Sequence, residues 1–128
     1  MIEVSAAIIR ENNKILICRR KPGGPCGTLW EFPGGKKEKD ESPGDCLVRE
    51  LEEELGIASA VHALFDEYEY AYPDREIHFR FYETGITGGT PKAAVHSEIA
   101  WVTPADFPEY QFCPADERVV ERLMKASL

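Results

Sequence analysis

Three glutamates on one face of a predicted helix constrain this chain more than any other feature of its sequence. Ser42 can cap the first turn of that helix, and Gly56 can end it in a left-handed conformation. Glu50, Glu53 and Glu54 are spaced i, i+3 and i+4, so their carboxylates project from one side. The neighbouring side carries the apolar residues Leu47, Val48, Leu51 and Leu55. The helix is therefore predicted to pack an apolar stripe on a core and to present a carboxylate stripe beside it.

The backbone before this helix is predicted to be irregular and to approach it closely. Pro33 lacks an amide donor, and Gly34 and Gly35 permit a tight turn. Glu50 and Glu54 are like charges at i and i+4, which destabilise a helix by a few tenths of a kcal/mol unless a counter-ion is present. Mg²⁺ is such a counter-ion, because it prefers carboxylate, water and phosphate oxygens. A solvated acidic face is the alternative interpretation.

A longer motif surrounds the glutamates and matches a known signature at every position. The motif is G-x5-E-x7-R-E-U-x-E-E-x-G-U, with U aliphatic, and resembles the signature of the Nudix hydrolases. Its residues here are Gly35, Glu41, Arg49, Glu50, Leu51, Glu53, Glu54, Gly56 and Ile57. The resemblance covers the whole chain and is closest to small MutT-like nucleoside triphosphate pyrophosphohydrolases. Outside the motif it includes Arg19-Arg20, residues 31–36, residues 72–75 and residues 114–116.

The order of predicted elements indicates an α/β (α+β) protein. Apolar and β-branched runs predict strands at residues 2–10, 14–19, 60–72, 75–84 and 98–102. Pro73-Asp74 predicts a turn, Gly85 to Pro91 a loop, and Thr103-Pro104 a brief helical turn. Apolar residues from Val119 to Met124 recur as in a terminal helix that packs on a sheet. The resemblance implies the Nudix fold, a mixed β-sheet sandwiched between helices, in a single domain over residues 1–128.

The resemblance also implies the roles of the acidic residues. Glu50, Glu53 and Glu54 are expected to be metal ligands and catalytic groups, with the carbonyl of Gly34 as a further ligand. Glu53 is also expected to assist proton removal. Gly35, Glu41 and Arg49 are expected to support this set, and Arg49 counts among the catalytic residues because its guanidinium can orient the ligands.

One position departs from the MutT-like pattern. Such relatives often carry a glutamate six residues before the strand tryptophan, where this chain has Val95 before Trp101. Glu98 lies three residues later and is a candidate metal ligand in its place. The alternative is that Glu98 is an exposed carboxylate at the edge of a strand.

Three further residues are expected to bind the nucleotide. Arg20 and Arg75 lie in segments that carry the resemblance, and Arg20 can contact phosphate, although a simple surface pair with Arg19 is the alternative. Asp116 lies where the MutT-like pattern places a group that faces the nucleobase, and capping of the terminal helix is its alternative role. Aromatic residues could stack on the base, but in strands they more often belong to the core: Trp30, Phe32, Tyr72 and Phe79.

These residues together predict a Mg²⁺-dependent hydrolase, with Mn²⁺ as a substitute metal. The expected reaction converts a nucleoside or deoxynucleoside triphosphate to monophosphate and pyrophosphate. The leading substrates are 8-oxo-dGTP, as in sanitising of oxidised nucleotides, and CTP or dCTP. The alternatives are a non-catalytic, nucleotide-sensing Nudix domain and an 8-oxoguanine-reading domain of a DNA glycosylase. The intact signature argues against the first, while chain length and acidity argue against the second.

Charge and hydropathy limit the partners. The net charge of −8 would repel a polyphosphate backbone, so no nucleic-acid partner is expected. No run of about 18 apolar residues and no signal-peptide pattern is present, which predicts a cytoplasmic protein without a membrane partner. The four cysteines are expected to be reduced thiols and the three histidines to have ordinary structural roles. The protein is expected to be a monomer or a homodimer.

Overall fold

The computed structural model describes residues 1–127, in which seven strands form one mixed sheet. The strands are β1 (Ile2–Glu11), β2 (Lys14–Arg19), β3 (Trp30–Glu31), β4 (Gly34–Lys36), β5 (Ala58–Tyr72), β6 (Arg75–Gly88) and β7 (Glu98–Val102). The helices are α1 (Pro43–Leu55) and α2 (Glu117–Ala126), with 3₁₀ turns at Pro104–Glu109 and Pro114–Asp116. None of the described helices is long and apolar enough to cross a membrane.

Strand β1 organises the sheet. It runs parallel to β6 and forms the predicted hairpin with β2, but the β1–β2 ladder covers only two residue pairs beside the turn. Beyond those pairs β1 separates from β2 and binds β4 instead, with Ser5 opposite Gly35 and Ala6 opposite Gly34. Strand β2 pairs with β3 and β7. The separation of β1 from β2 therefore makes room for the backbone of residues 34–36 beside α1.

Each face of the sheet carries its own apolar cluster. Alternate residues of β1 contribute to opposite faces, as the two-residue period of a strand requires. Ile8 joins Phe81, Phe107 and Leu123 on the face covered by α2 and the 3₁₀ turns. On the other face the cluster contains Ile9, Leu16, Leu47, Leu51 and Leu55, the last three from α1. The predicted fold, a mixed sheet between helices, is confirmed.

The predicted signals for α1 are all observed. The Ser42 hydroxyl accepts a hydrogen bond from the Asp45 amide at 3.1 Å, and Gly56 has a left-handed φ of 69°. Leu47, Leu51 and Leu55 are fully buried and Val48 is partly buried, with the carboxylate stripe on the adjacent side. Local signals within about fifteen residues therefore fix the element that carries the glutamates.

The predicted loop from Gly85 to Pro91 was partly wrong, because β6 continues to Gly88. Strand β5 begins at Ala58, two residues earlier than predicted, and its first residues pair with this extension: Ala58 lies opposite Gly88 and Ala60 opposite Gly85. Glycine weakens a strand, but here the neighbouring strand satisfies its backbone groups. Strands β3 and β4 were not predicted, since two and three residues give no readable period.

Candidate active site

One cavity gathers most of the residues that the sequence suggested. Its volume is about 470 Å³, and we call it the polar cavity. Charged side chains and backbone from β3, β4, α1, the β5–β6 turn and the segment before α2 meet there. Its walls consist of Val4, Ala6, Arg20, Pro25, Cys26, Glu31, Phe32, Gly34, Gly35, Lys36, Glu50, Glu54, Tyr72, Arg75, Ile77, Phe79, Cys113 and Asp116.

Arg49 connects the glutamates of α1 to the backbone before the helix. Its Nε and Nη2 donate to the two carboxylate oxygens of Glu41 at 2.7 and 2.9 Å, a bidentate pair. This pairing lowers the pKa of Glu41 to about 2. Nη1 donates to Glu50 at 2.9 Å and to Glu53 at 3.2 Å, and Nη2 also donates to the carbonyl of Lys36. Arg49 therefore fixes the directions of two of the three helix carboxylates.

The two glycines of β4 allow close contacts with different neighbours: Gly35 with Glu50 of α1, and Gly34 with the backbone of β1. A Cβ atom on Gly35 would lie 2.3 Å from the Glu50 carboxylate, and one on Gly34 would lie 2.0 Å from the carbonyl oxygen of Ser5. Both distances are far inside van der Waals contact. The space next to Gly35 is therefore the space that the Glu50 carboxylate occupies.

Glu54 is the most buried carboxylate of the helix stripe. Its Oε1 is buried and has no hydrogen-bond partner among the described residues. Burial is the main cause that raises the pKa of Glu54 to about 7, and the charges of Glu31 and Glu50 add to it, while His96 opposes the shift. Burial likewise raises the pKa of Glu50. A carboxylate with an unpaired buried oxygen beside other carboxylates suits a cation with oxygen ligands.

The groups expected to bind a nucleotide lie in the same cavity. Arg20 and Arg75 both line it, and Nε of Arg75 is buried without a partner in residues 1–127. Asp116 is 5% exposed, and its Oδ2 accepts a hydrogen bond from the Phe32 amide at 3.1 Å. Its side chain makes no capping bond to α2, so the alternative of a helix cap is not observed. Burial raises the pKa of Asp116 well above its usual range.

Comparison with known proteins gives the family. The family model described as "NUDIX domain" matches residues 4–122. The chain belongs to the NUDIX domain family. Hydrolases of this family generally need a divalent metal ion. In residues 1–127 of this Nudix domain, no group of three or more His, Cys, Asp or Glu side chains is already arranged to hold one; Glu50 and Glu53 instead share the Arg49 guanidinium.

Several relatives match over nearly the whole of this Nudix domain. A CTP pyrophosphohydrolase of Escherichia coli K12 is 40% identical over 97% of the chain and 92% of its own length. An 8-oxo-dGTP diphosphatase of the same organism is 36% identical over 97% of this chain and 97% of its own length. Among solved structures, the E. coli ORF135 protein has a TM-score of 0.84 at 38% identity, covering 98% of this chain and 89% of its own. A MutT structure, from work on the Aliivibrio salmonicida and Vibrio cholerae proteins, has a TM-score of 0.81 at 32% identity. The match covers 98% of this chain and 98% of that one.

Two carboxylates of the expected metal set lie outside the cavity walls. The Glu53 side chain is 58% exposed and is tied to the site through Arg49. The Glu98 side chain is 53% exposed on β7, and its carboxylate pairs with Arg19 at 3.2 Å. Val95, at the position where MutT-like relatives often carry a glutamate, is exposed and its side chain offers no ligand atom. The structure therefore brings Gly34, Glu50 and Glu54 together and leaves Glu98 apart from them.

Sequence reasoning missed several polar residues of this Nudix domain. Glu31 lines the cavity and accepts hydrogen bonds from Arg20 at 3.2 Å and from His96 at 2.9 Å. Cys26 lines it as well, next to Tyr72, which the sequence had suggested as a base-stacking residue; the Sγ and Oη atoms lie 3.7 Å apart. Of the four aromatic candidates, Tyr72 alone is not part of the buried core. No local pattern marks these residues, because chain segments far apart in sequence bring them together.

The buried Glu54 predicts an unusual pH dependence of stability for the metal-free protein. Its folded pKa of about 7 exceeds the ordinary value of 4.5, so its contribution to stability is fully present below pH 4.5. That contribution is lost as the pH rises through 7, and amounts to about 3 kcal/mol at most. Urea unfolding in EDTA should therefore show that the free energy of unfolding falls less between pH 5 and pH 8 in Glu54→Gln than in wild type. The exposed Glu52→Gln serves as control, and equal losses in all three proteins would contradict the assignment.

Proposed function

We propose that this Nudix domain hydrolyses nucleoside or deoxynucleoside triphosphates to monophosphate and pyrophosphate in the polar cavity. One observation carries the proposal: the same cavity contains two carboxylates of the signature helix, two arginines and a buried aspartic acid. Carboxylates suit a metal-bound polyphosphate, guanidinium groups suit phosphate oxygens, and a buried carboxyl group suits a base edge. The names of relatives matched over 97% of the chain, a CTP pyrophosphohydrolase and an 8-oxo-dGTP diphosphatase, support it.

The proposed metal ligands are the carbonyl of Gly34 and the carboxylates of Glu50, Glu53 and Glu54. The metal is Mg²⁺, with Mn²⁺ as a substitute; when bound, it supplies charge neutralisation of the phosphates and a lower pKa for a water molecule. Arg49 keeps Glu50 and Glu53 oriented, with Glu41 and Gly35 as its supports. Glu98 is not part of the proposed set, because its exposed carboxylate faces Arg19.

The remaining residues activate the attacking water and bind the nucleotide. Glu53 accepts one hydrogen bond from Arg49 and is otherwise exposed, so its carboxylate is free to take a proton from the attacking water. Arg20 and Arg75 bind phosphate oxygens. Asp116 faces the base; it donates a hydrogen bond while protonated and accepts when ionised, which suits cytosine or a guanine-type edge. The leading substrates are therefore cytosine nucleotides and 8-oxo-dGTP.

Asp116→Ala should lower kcat/KM for the preferred triphosphate about tenfold or more. The reason is the loss of a hydrogen bond to a buried polar group, which costs about 1–3 kcal/mol. Poor substrates should change little. Steady-state kinetics on the best and the worst triphosphate check this, with Asp106→Ala, on a 3₁₀ turn outside the cavity walls, as control. An equal loss for all bases would place base selection elsewhere.

A panel of triphosphates tests the function and separates its rivals. Wild-type protein with Mg²⁺ should release pyrophosphate from at least one of CTP, dCTP, dGTP and 8-oxo-dGTP, and EDTA should stop it. Nucleotide binding without turnover would favour a sensing domain. Binding of 8-oxoguanine in duplex DNA without triphosphate turnover would favour a glycosylase-type reader.

We further propose a single domain over residues 1–128 that acts in the cytoplasm as a monomer or homodimer, without a nucleic-acid or membrane partner. Both apolar clusters share one sheet, which supports a single folding unit. Single-step unfolding and sedimentation of the purified chain test the domain and the assembly state.

A further inference from the structure

His96 is a buried histidine with one bonded and one unbonded ring nitrogen. Its side chain is 4% exposed. Nε2 lies 2.9 Å from Oε2 of Glu31, and Nδ1 has no partner among the described residues. Because a carboxylate only accepts, Nε2 carries the proton. The next residue, Ser97, donates both its amide and its hydroxyl to the Arg19 carbonyl, so the backbone beside His96 is anchored to β2.

The partner of His96, Glu31, is held from two sides. Arg20 donates to Oε1 of Glu31 at 3.2 Å, while His96 donates to Oε2. Glu31 lines the polar cavity together with Asp116, and the amide of the next residue, Phe32, is the one that binds Asp116. Glu31 and the proposed base-reading group therefore belong to one wall of the cavity.

The two supports of Glu31 differ in how firmly they are fixed. The Arg20 side chain is 46% exposed, and a guanidinium that engages phosphate has fewer donors left for Glu31. His96 is buried and has no such competing role. An apolar residue would fill the same space without leaving a buried nitrogen unpaired, so the histidine is explained by its bond to Glu31.

We propose that His96 is a positioning residue that holds the Glu31 carboxylate toward the nucleobase when substrate engages Arg20, and thereby sets base selectivity. This inference rests on the proposed triphosphate hydrolysis. Glu31 contacts the base and adds an acceptor beside Asp116, while His96 acts only through Glu31. Selectivity, rather than overall rate, is the property that should respond to His96.

The test measures selectivity, defined as the ratio of kcat/KM between the best and the worst triphosphate of the panel. His96→Leu should reduce this ratio about fivefold or more, with little change in Tm. His96→Gln, whose amide can still donate to Glu31, should restore most of it. Added to Glu31→Gln, the leucine substitution should have no further effect. His62→Leu is the matched control at an exposed histidine outside the cavity.

The outcomes separate a failure of the proposed function from a failure of this inference. A wild-type chain that cleaves no triphosphate overturns the proposed function and this inference with it. Selective wild-type hydrolysis with unchanged selectivity in His96→Leu overturns the inference alone. The inference is also overturned if His96→Gln is no more selective than His96→Leu, or if the effects of His96→Leu and Glu31→Gln on selectivity add. If His96→Leu does not fold, His96→Asn replaces it, since its shorter amide does not reach Glu31.

Discussion

Glu53→Gln should lose about a hundredfold or more in kcat while the protein stays folded. Glutamine keeps the size of the side chain and can still accept the hydrogen bond from Arg49, but it can neither carry charge toward a metal ion nor take a proton. Because the Glu53 side chain is 58% exposed, its replacement leaves no buried group unpaired. The expected signature is a collapse of turnover with an unchanged Tm.

The neighbour Glu52 provides the control for this variant. Glu52 is exposed on the same turn of α1 and is absent from the cavity and from the Arg49 contacts. Glu52→Gln removes the same charge from the helix and should keep its activity within about twofold. Comparable losses in both variants would show that Glu53 acts only through the general negative charge of the helix.

Gly35→Ala should have the second largest effect, a loss of about tenfold or more in kcat/KM. The new methyl group would lie 2.3 Å from the Glu50 carboxylate, which must then leave its place beside Arg49. The obstructed atoms belong to a flexible side chain rather than to backbone, so the fold should survive. Kinetics and thermal unfolding of the variant would show a defect in activity with a modest fall in Tm.

Gly44→Ala is the matched control, because a Cβ atom there meets nothing within 4 Å in the first turn of α1. This variant should keep full activity and gain a little stability, since alanine favours the helix more than glycine does. If Gly35→Ala also kept full activity, the position of Glu50 beside Arg49 would have no role in turnover.

The sequence was most informative where the determinants are local. Ser42 and Gly56 mark the ends of α1, and the spacing of Glu50, Glu53 and Glu54 places them on one face without any knowledge of the fold. The order of the predicted elements likewise indicated an α/β (α+β) protein, and the family resemblance implied a mixed sheet between helices. The features of α1 depend on contacts within one or two turns of chain.

The parts that could not be predicted depend on contacts between distant segments. Asp116 could have been a helix cap or a pocket residue; its carboxylate accepts from the Phe32 amide, 84 positions away, and makes no capping hydrogen bond to α2. The pair of Glu31 and His96 spans 65 positions. Strand β4 owes its existence to the separation of β1 from β2. None of these contacts has a periodic signal in the sequence.

The most direct test of the proposed function is the identity of the products. Phosphorus NMR of wild-type protein with Mg²⁺ and its best triphosphate should show the monophosphate and pyrophosphate in equal amounts, and nothing should form in EDTA. Diphosphate with inorganic phosphate, or no Mg²⁺-dependent product from any triphosphate of the panel, would contradict pyrophosphohydrolysis in this cavity.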